Sequence, residues 1–224
     1  MSPSGIWDAF NDPNLDGWHQ LWVHVRLSLE ALAIATVIGV VLGIVAAKTG
    51  RVTGFVVSAV ANLGRTIPTF ALLALAVALS TIGEGPALVG LVALGVPPVL
   101  LNAHTGIREV DRGAVEAARG MGFTAPAVLA RVELPMALPL VFTGIRISAV
   151  QIVATAALAA AVGAGGLGVL ILSGLANSDD EVLLAGAIPT ALLALAVGGL
   201  LAAAQRLLTP RGLRLARASR PTQR

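Results

Sequence analysis

The stretch VEAARGMGFTAPAVLARVELP, residues 115–135, is charged and punctuated by glycine, and almost everything on either side of it is apolar. Ala114, Ala117, Ala118 and Met121 fall at i, i+3, i+4 and i+7, which makes one small apolar helical face. Arg112, Glu116 and Arg119 share the opposite face, with Arg112 and Glu116 forming an i,i+4 pair. Gly120 and Gly122 end this helix. Thr124 and Pro126 suit the start of another, because Thr caps an N-terminus and Pro is tolerated in a first turn. Leu134-Pro135 is expected to break the second helix. The pattern predicts two short helices about a glycine bend, lying along a surface. It is that of a docking element or, more plainly, of an amphipathic connector in a membrane protein.

The flanks decide the class. Of 224 residues, 56% are hydrophobic and 12% charged, and the mean hydropathy is +0.87; a soluble domain carries about 25% charged residues. This much apolar surface needs lipid as its solvent. Apolar runs at 21–47, 54–81, 86–107, 136–162 and 182–208 are each long enough for a spanning helix at about 1.5 Å per residue. A further run at 164–176, rich in Gly, is too short to span and reads as a re-entrant or interfacial piece. The expected fold is therefore all-α: a polytopic membrane helix bundle of about five spans, a short re-entrant segment and the helical loop 108–135. Residues 1–20 form an extracytoplasmic segment, 21–208 the membrane domain and 209–224 a basic cytoplasmic tail.

Charge placement sets the orientation. With five spans, twelve of the 15 Lys and Arg follow runs one, three and five. The opposite connections, 1–20, 82–85 and 163–181, carry none and hold Asp8, Asp12, Asp16, Glu84, Asp179, Asp180 and Glu181. The positive-inside rule then places the N-terminus outside and the C-terminus in the cytoplasm. The sequence pI of about 10.9 is thus a signature of topology and not of nucleic-acid binding. The first twenty residues lack the basic n-region of a cleavable signal, so the first span is expected to be retained. Trp7, Trp18 and Trp22 fall where an interfacial aromatic belt is expected.

Three basic residues lie inside apolar runs. Arg26 can pair with Glu30 one turn on, or snorkel. Arg65, in GRTIPTF, stands before Pro68; the segment reads either as a kink with a snorkelling Arg or as a broken helix lining a path. Arg146 divides between the same two readings. Gly39-x-x-x-Gly43, the Ala-rich 154–161 and Gly198-Gly199 allow close helix approach and support a packed bundle or dimer. Cysteine is absent, which excludes disulfides, Cys-ligated metal and thiol nucleophiles. His19, His24 and His104 are scattered, without H-E-x-x-H or paired intramembrane carboxylates, so no catalytic residue or metal site is expected.

The spacing Glu116-Ala117-Ala118, Gly122, Val132, Leu134-Pro135 resembles the EAA signature of the MetI-like permeases of ABC transporters, with Val in place of the usual Ile. RTIPTFALLAL, 65–75, and VGAGGLGVLILSGLANSDDEVLLAGAIPTALLAL, 162–195, are similar to the osmoprotectant branch, which imports glycine betaine, choline, carnitine or proline. The resemblance covers roughly residues 20–208. It implies that Glu116, Ala117, Ala118, Arg119, Gly122, Val132, Leu134 and Pro135 belong to a loop that docks on a cytosolic ATPase and couples its closure to the bundle.

The chain has no phosphate-binding G-x-x-x-x-G-K-[ST] loop. The resemblance implies ATP and Mg in two partner ATPase subunits, and no cofactor in this chain. It also implies a second permease chain, identical or homologous, and a separate extracytoplasmic substrate-binding protein, assembled in a bacterial cytoplasmic membrane. Arg65, Thr66, Pro68 and Thr69, with Gly163, Gly165, Gly166 and Gly168, are the candidates for the translocation pathway. The competing readings are the same permease with another cargo, such as methionine or another amino acid, a stand-alone channel, or a membrane-embedded enzyme.

Overall fold

The computed structural model describes residues 2–50, 53–57, 59, 68–79 and 82–208. The elements are α1 (Pro3–Phe10), α2 (Gly17–Lys48), α3 (Thr69–Ala78), α4 (Glu84–Arg108), α5 (Arg112–Gly120), α6 (Ala125–Val128), a π-helical turn (Leu129–Glu133), α7 (Leu134–Thr155), a 3₁₀ segment (Ala156–Val162), α8 (Gly168–Asn177) and α9 (Asp180–Leu208). Among the described residues, four helical units are long and apolar enough to cross a membrane: Gly17–Lys48, Glu84–Arg108, Ala125–Val162 and Asp180–Leu207. These coincide with four of the five expected spans. Of the fifth, 54–81, residues 58, 60–67, 80 and 81 lie outside the described residues, and α3 is its longest described piece. The short run at 164–176 is α8, a ten-residue helix that cannot span.

Lipid solvates apolar side chains as well as the protein interior does, so helices in a membrane associate through close packing and polar links. The small residues of α2 serve this purpose. A Cβ at Gly39 would lie 2.7 Å from Val99 Cβ, and one at Gly43 would lie 2.6 Å from Ala103 Cβ. At Gly95 of α4 two helices press in together: a Cβ would meet Ile152 Cδ1 at 2.7 Å, Ser148 Oγ at 2.8 Å and Ala35 Cβ at 2.9 Å. There α2, α4 and α7 cross, and Ser148 Oγ donates to Gly95 O at 2.9 Å. Leu27, Ala31, Leu91 and Ile152 fill the core around this crossing.

Ion pairs close the bundle at both ends. Arg26 pairs with Glu84 at the start of α4, and not with Glu30 as the i,i+4 spacing suggested. The helix neighbour loses to a carboxylate that the fold presents at the same level of the adjacent span. At the opposite end Lys48 pairs with Glu133, whose side chain is only 6% exposed. The two ends differ in charge. Lys48, Arg108, Arg112, Arg119, Arg131 and Arg206 gather at one, and Asp8, Asp12, Asp16, Glu84, Asp179, Asp180 and Glu181 at the other.

The first twenty residues carry their own structure at the acidic end. Ser2 caps α1 by accepting from Gly5 N at 3.0 Å, and its backbone N–H donates to Glu181 at 2.9 Å. Phe10 packs with Leu167, Leu170 and Ala185, which folds α1 back over α8 and α9. Trp18 meets Phe10 edge-on at 5.2 Å and Trp7 at 6.4 Å, while Trp7, Trp18 and Trp22 remain exposed, as an interfacial belt requires.

Two predictions follow from this packing, both read by thermal unfolding of the purified protein in detergent. Gly95→Leu is expected to cost about 1–3 kcal/mol by overpacking the crossing; wild-type stability would contradict that account. Lys48→Met, which strands the buried Glu133 carboxylate, is expected to cost about 1–3 kcal/mol. The double substitution with Glu133→Leu should recover much of that loss, and a single variant as stable as wild type would show that the pair holds nothing.

Candidate functional site

The loop 108–135 is built almost as its residues dictate. Asp111 caps α5 by accepting from Ala114 N at 2.9 Å. The helix ends in a Schellman motif: Phe123 N donates to Ala118 O at 3.1 Å and Gly122 N to Arg119 O at 2.9 Å, with Gly122 at φ +86. Nothing lies within 4 Å of a Cβ placed there, so backbone conformation and not space requires the glycine. Thr124 occupies the N-cap of α6 with Pro126 in the first turn, yet its side chain makes no capping bond. The Arg131 guanidinium sits over the Phe123 ring at 5.7 Å and ties the bend to the following turn.

Leu134-Pro135 does not break the chain. Residues 125–162 form one continuous helical unit, because the π-turn Leu129–Glu133 shifts the hydrogen-bond register and lets Leu134 N donate to Leu129 O. The missing N–H of Pro135 falls directly after that shift, where the ladder is already re-registered. Val132 and Leu134 are half-buried.

The face expected to be continuous is divided. Ala118 is 1% exposed and Ala114 is half-buried, whereas Ala117 is exposed, as is Met121 at 69%. Gly113, Ala117, Gly120 and Met121 therefore form an outward strip of small residues and one Met, with exposed Glu116 at its edge. The other side of α5 faces a cleft of about 350 Å³, lined by Lys48, Arg108, Arg112, Glu116, Arg119 and Glu133.

The expected pathway residues separate. Arg65 and Thr66 lie outside the described residues. Pro68 is exposed and holds the N-cap of α3 with ψ 128, so the helix starts after it, at Thr69. Gly163, Gly165 and Gly166 adopt φ +79, +76 and +89, and a Cβ at Gly168 would lie 1.8 Å from Ala157 O. Gly166 and Gly168 are buried, so turn geometry and packing account for these two. Two residues of α2 tie down this region: Gln20 Oε1 accepts from Gly166 N of the loop at 2.8 Å, and the buried His24 Nε2 stands 3.0 Å from Val153 O of α7. That carbonyl lies near the end of α7, just before the 3₁₀ segment. Neither link was legible in the chain, since each joins groups more than a hundred residues apart. Among the described residues no group of three His, Cys, Asp or Glu is placed to hold a metal.

Comparison with known proteins agrees with this architecture. Residues 39–213 match the family described as binding-protein-dependent transport system inner membrane component. The chain is 37% identical to the carnitine transport permease protein OpuCB of Listeria monocytogenes, over 88% of this chain and 90% of the relative. It is 36% identical to the choline transport system permease protein OpuBB of Bacillus subtilis, over 87% and 89%. A solved inward-facing structure of the MetNI methionine ABC transporter superposes with a TM-score of 0.76 at 24% identity, covering 94% of this chain and 100% of that one. The chain belongs to the family of binding-protein-dependent inner-membrane transport components: it is a membrane-embedded permease subunit of an ABC importer.

Proposed function

We propose that this permease imports a compatible solute bearing a quaternary ammonium group, such as glycine betaine, choline or carnitine, or the related solute proline. We propose further that α5 transmits the force of a cytosolic ATPase. The cargo reading is supported by the identities to carnitine and choline permeases. The methionine transporter resembles this chain in fold at 24% identity, too distant to argue for methionine.

The observation that carries the coupling role is the outward strip Gly113, Ala117, Gly120 and Met121, with Glu116 at its edge. Small side chains let another surface approach the helix backbone closely. Met adapts to irregular contacts, and the exposed Glu116 is free to meet a polar or basic group of the partner. Gly122 sets the angle between α5 and α6, while Val132, Leu134 and Pro135 carry motion into α7 through the continuous helix. Arg119 borders the same helix on its cleft side.

In this reading two ATPase subunits bind and hydrolyse Mg-ATP, two permease chains enclose the path, and a soluble binding protein delivers the solute. The basic end of the bundle faces the cytoplasm and the acidic end faces outward, by the positive-inside rule. Of the residues proposed for the path, Arg65, Thr66, Pro68 and Thr69 stay in that role, together with the exposed Gly163 and the half-buried Gly165.

The test is the double variant Glu116→Lys, Gly122→Leu. A branched side chain at φ +86 costs roughly 1–2 kcal/mol locally, and the charge reversal opposes the partner contact. Solute-stimulated ATP hydrolysis and uptake by the reconstituted complex are expected to fall at least about ten-fold. Wild-type uptake would sink the coupling assignment. A binding screen of quaternary amines and amino acids on the partner binding protein checks the cargo, with the former expected to bind.

A further inference from the structure

Arg146 is exposed on α7, and its neighbours fix its depth. Two residues to either side, a Cβ at Gly144 would stand 2.8 Å from Pro98 O, and Ser148 Oγ donates to Gly95 O at 2.9 Å. Arg146 is therefore level with residues 95–98, the middle of α4 (Glu84–Arg108). Along its own helix it lies about 20 Å from Glu133, the partner of Lys48 at the basic end. Each edge of the hydrocarbon layer is about 15 Å from its midplane. An extended Arg covers less than half that distance, so it cannot snorkel out.

A guanidinium at such depth needs an opposite charge or water. Among the described residues Arg146 makes no ion pair. A second copy of this chain would supply none at that level either. Of the 12 Asp and Glu, all but Glu30 lie at or beyond the ends of the spans, and Glu30 stands one turn from the Arg26–Glu84 pair. Arg146 also borders α9. Val150, one turn on, lies 3.0 Å from a Cβ at Gly198, and Thr143 accepts from Gln205 at 2.9 Å.

We propose that Arg146 stands on the wall of the water-filled translocation path and binds the carboxylate of the transported solute. This rests on the permease reading above and adds a selectivity to it. A guanidinium presents two parallel N–H donors that match a carboxylate. Glycine betaine and carnitine carry that carboxylate beside their quaternary ammonium; choline carries a hydroxyl. The residue would thus favour zwitterionic solutes over choline at the point of passage, independently of selection by the binding protein.

The chain has no cysteine, so Arg146→Cys introduces its only thiol. In the intact complex in proteoliposomes, a membrane-impermeant methanethiosulfonate is expected to modify this chain, read by mass, in at least one nucleotide state. Glycine betaine is expected to slow that reaction. In parallel, Arg146→Gln should lower glycine betaine uptake at least about ten-fold and leave choline uptake unchanged, while Arg146→Lys restores part of the betaine uptake. Absence of thiol modification in every nucleotide state overturns the proposal, and so does an equal loss of betaine and choline uptake. The thiol reaction needs no transported solute. It decides the placement of Arg146 even where the wild-type complex moves neither probe, an outcome that counts against the cargo and not against the path.

Discussion

Close packing of α2 and α7 side chains against the bare backbone of Gly95 is the contact on which the rest of the bundle depends. In lipid there is no apolar drive to press helices together, so association relies on surfaces that fit within van der Waals distance. Ala35, Gly95, Ser148 and Ile152 supply such a surface, and the Ser148 hydroxyl adds a bond to the Gly95 carbonyl. From this crossing α2, α4 and α7 take fixed levels relative to one another. Those levels set which side chains meet at the two ends: Arg26 with Glu84, and Lys48 with Glu133. They also place Arg146 at mid-depth.

The second constraint is that every backbone group within the membrane must find a partner inside the protein. Two departures from regular geometry show such a partner. The π-turn re-registers the ladder ahead of Pro135, and Gln20 accepts from the Gly166 amide. The irregular segments therefore sit at set positions on the scaffold. The π-turn in particular makes α6 and α7 one mechanical element, so that a pull on the loop 108–135 is delivered to a spanning helix and not dissipated at a break.

Four spans, the charge difference between the ends, the short α8 and the glycine bend at Gly122 were legible in the sequence, because each rests on length, composition or a local backbone requirement. What required the structure involves distant partners. Glu30 is Arg26's neighbour on the helix, but Glu84 is its neighbour in space. Leu134-Pro135 reads as a stop by local rules, and only the hydrogen-bond register of the preceding five residues shows why the helix continues. Ala117 and Ala118 are chemically identical and adjacent; which one faces outward depends on how α5 packs against α6 and the π-turn. The segment 1–20 lacks a span pattern, and its helix is fixed by Glu181 and Leu170, far along the chain.

That difference between the two alanines gives the most direct measurement of the coupling role. In the cysteine-free chain, Ala117→Cys and Ala118→Cys are made separately, paired with cysteines introduced along the docking surface of the partner ATPase, and oxidised in the assembled complex. The account predicts an efficient cross-link from position 117, where the side chain is exposed, and none from position 118, which is buried in this chain. Cross-linking from 118 in preference to 117, or from neither, would contradict the assignment of α5 as the element that receives the force of the ATPase.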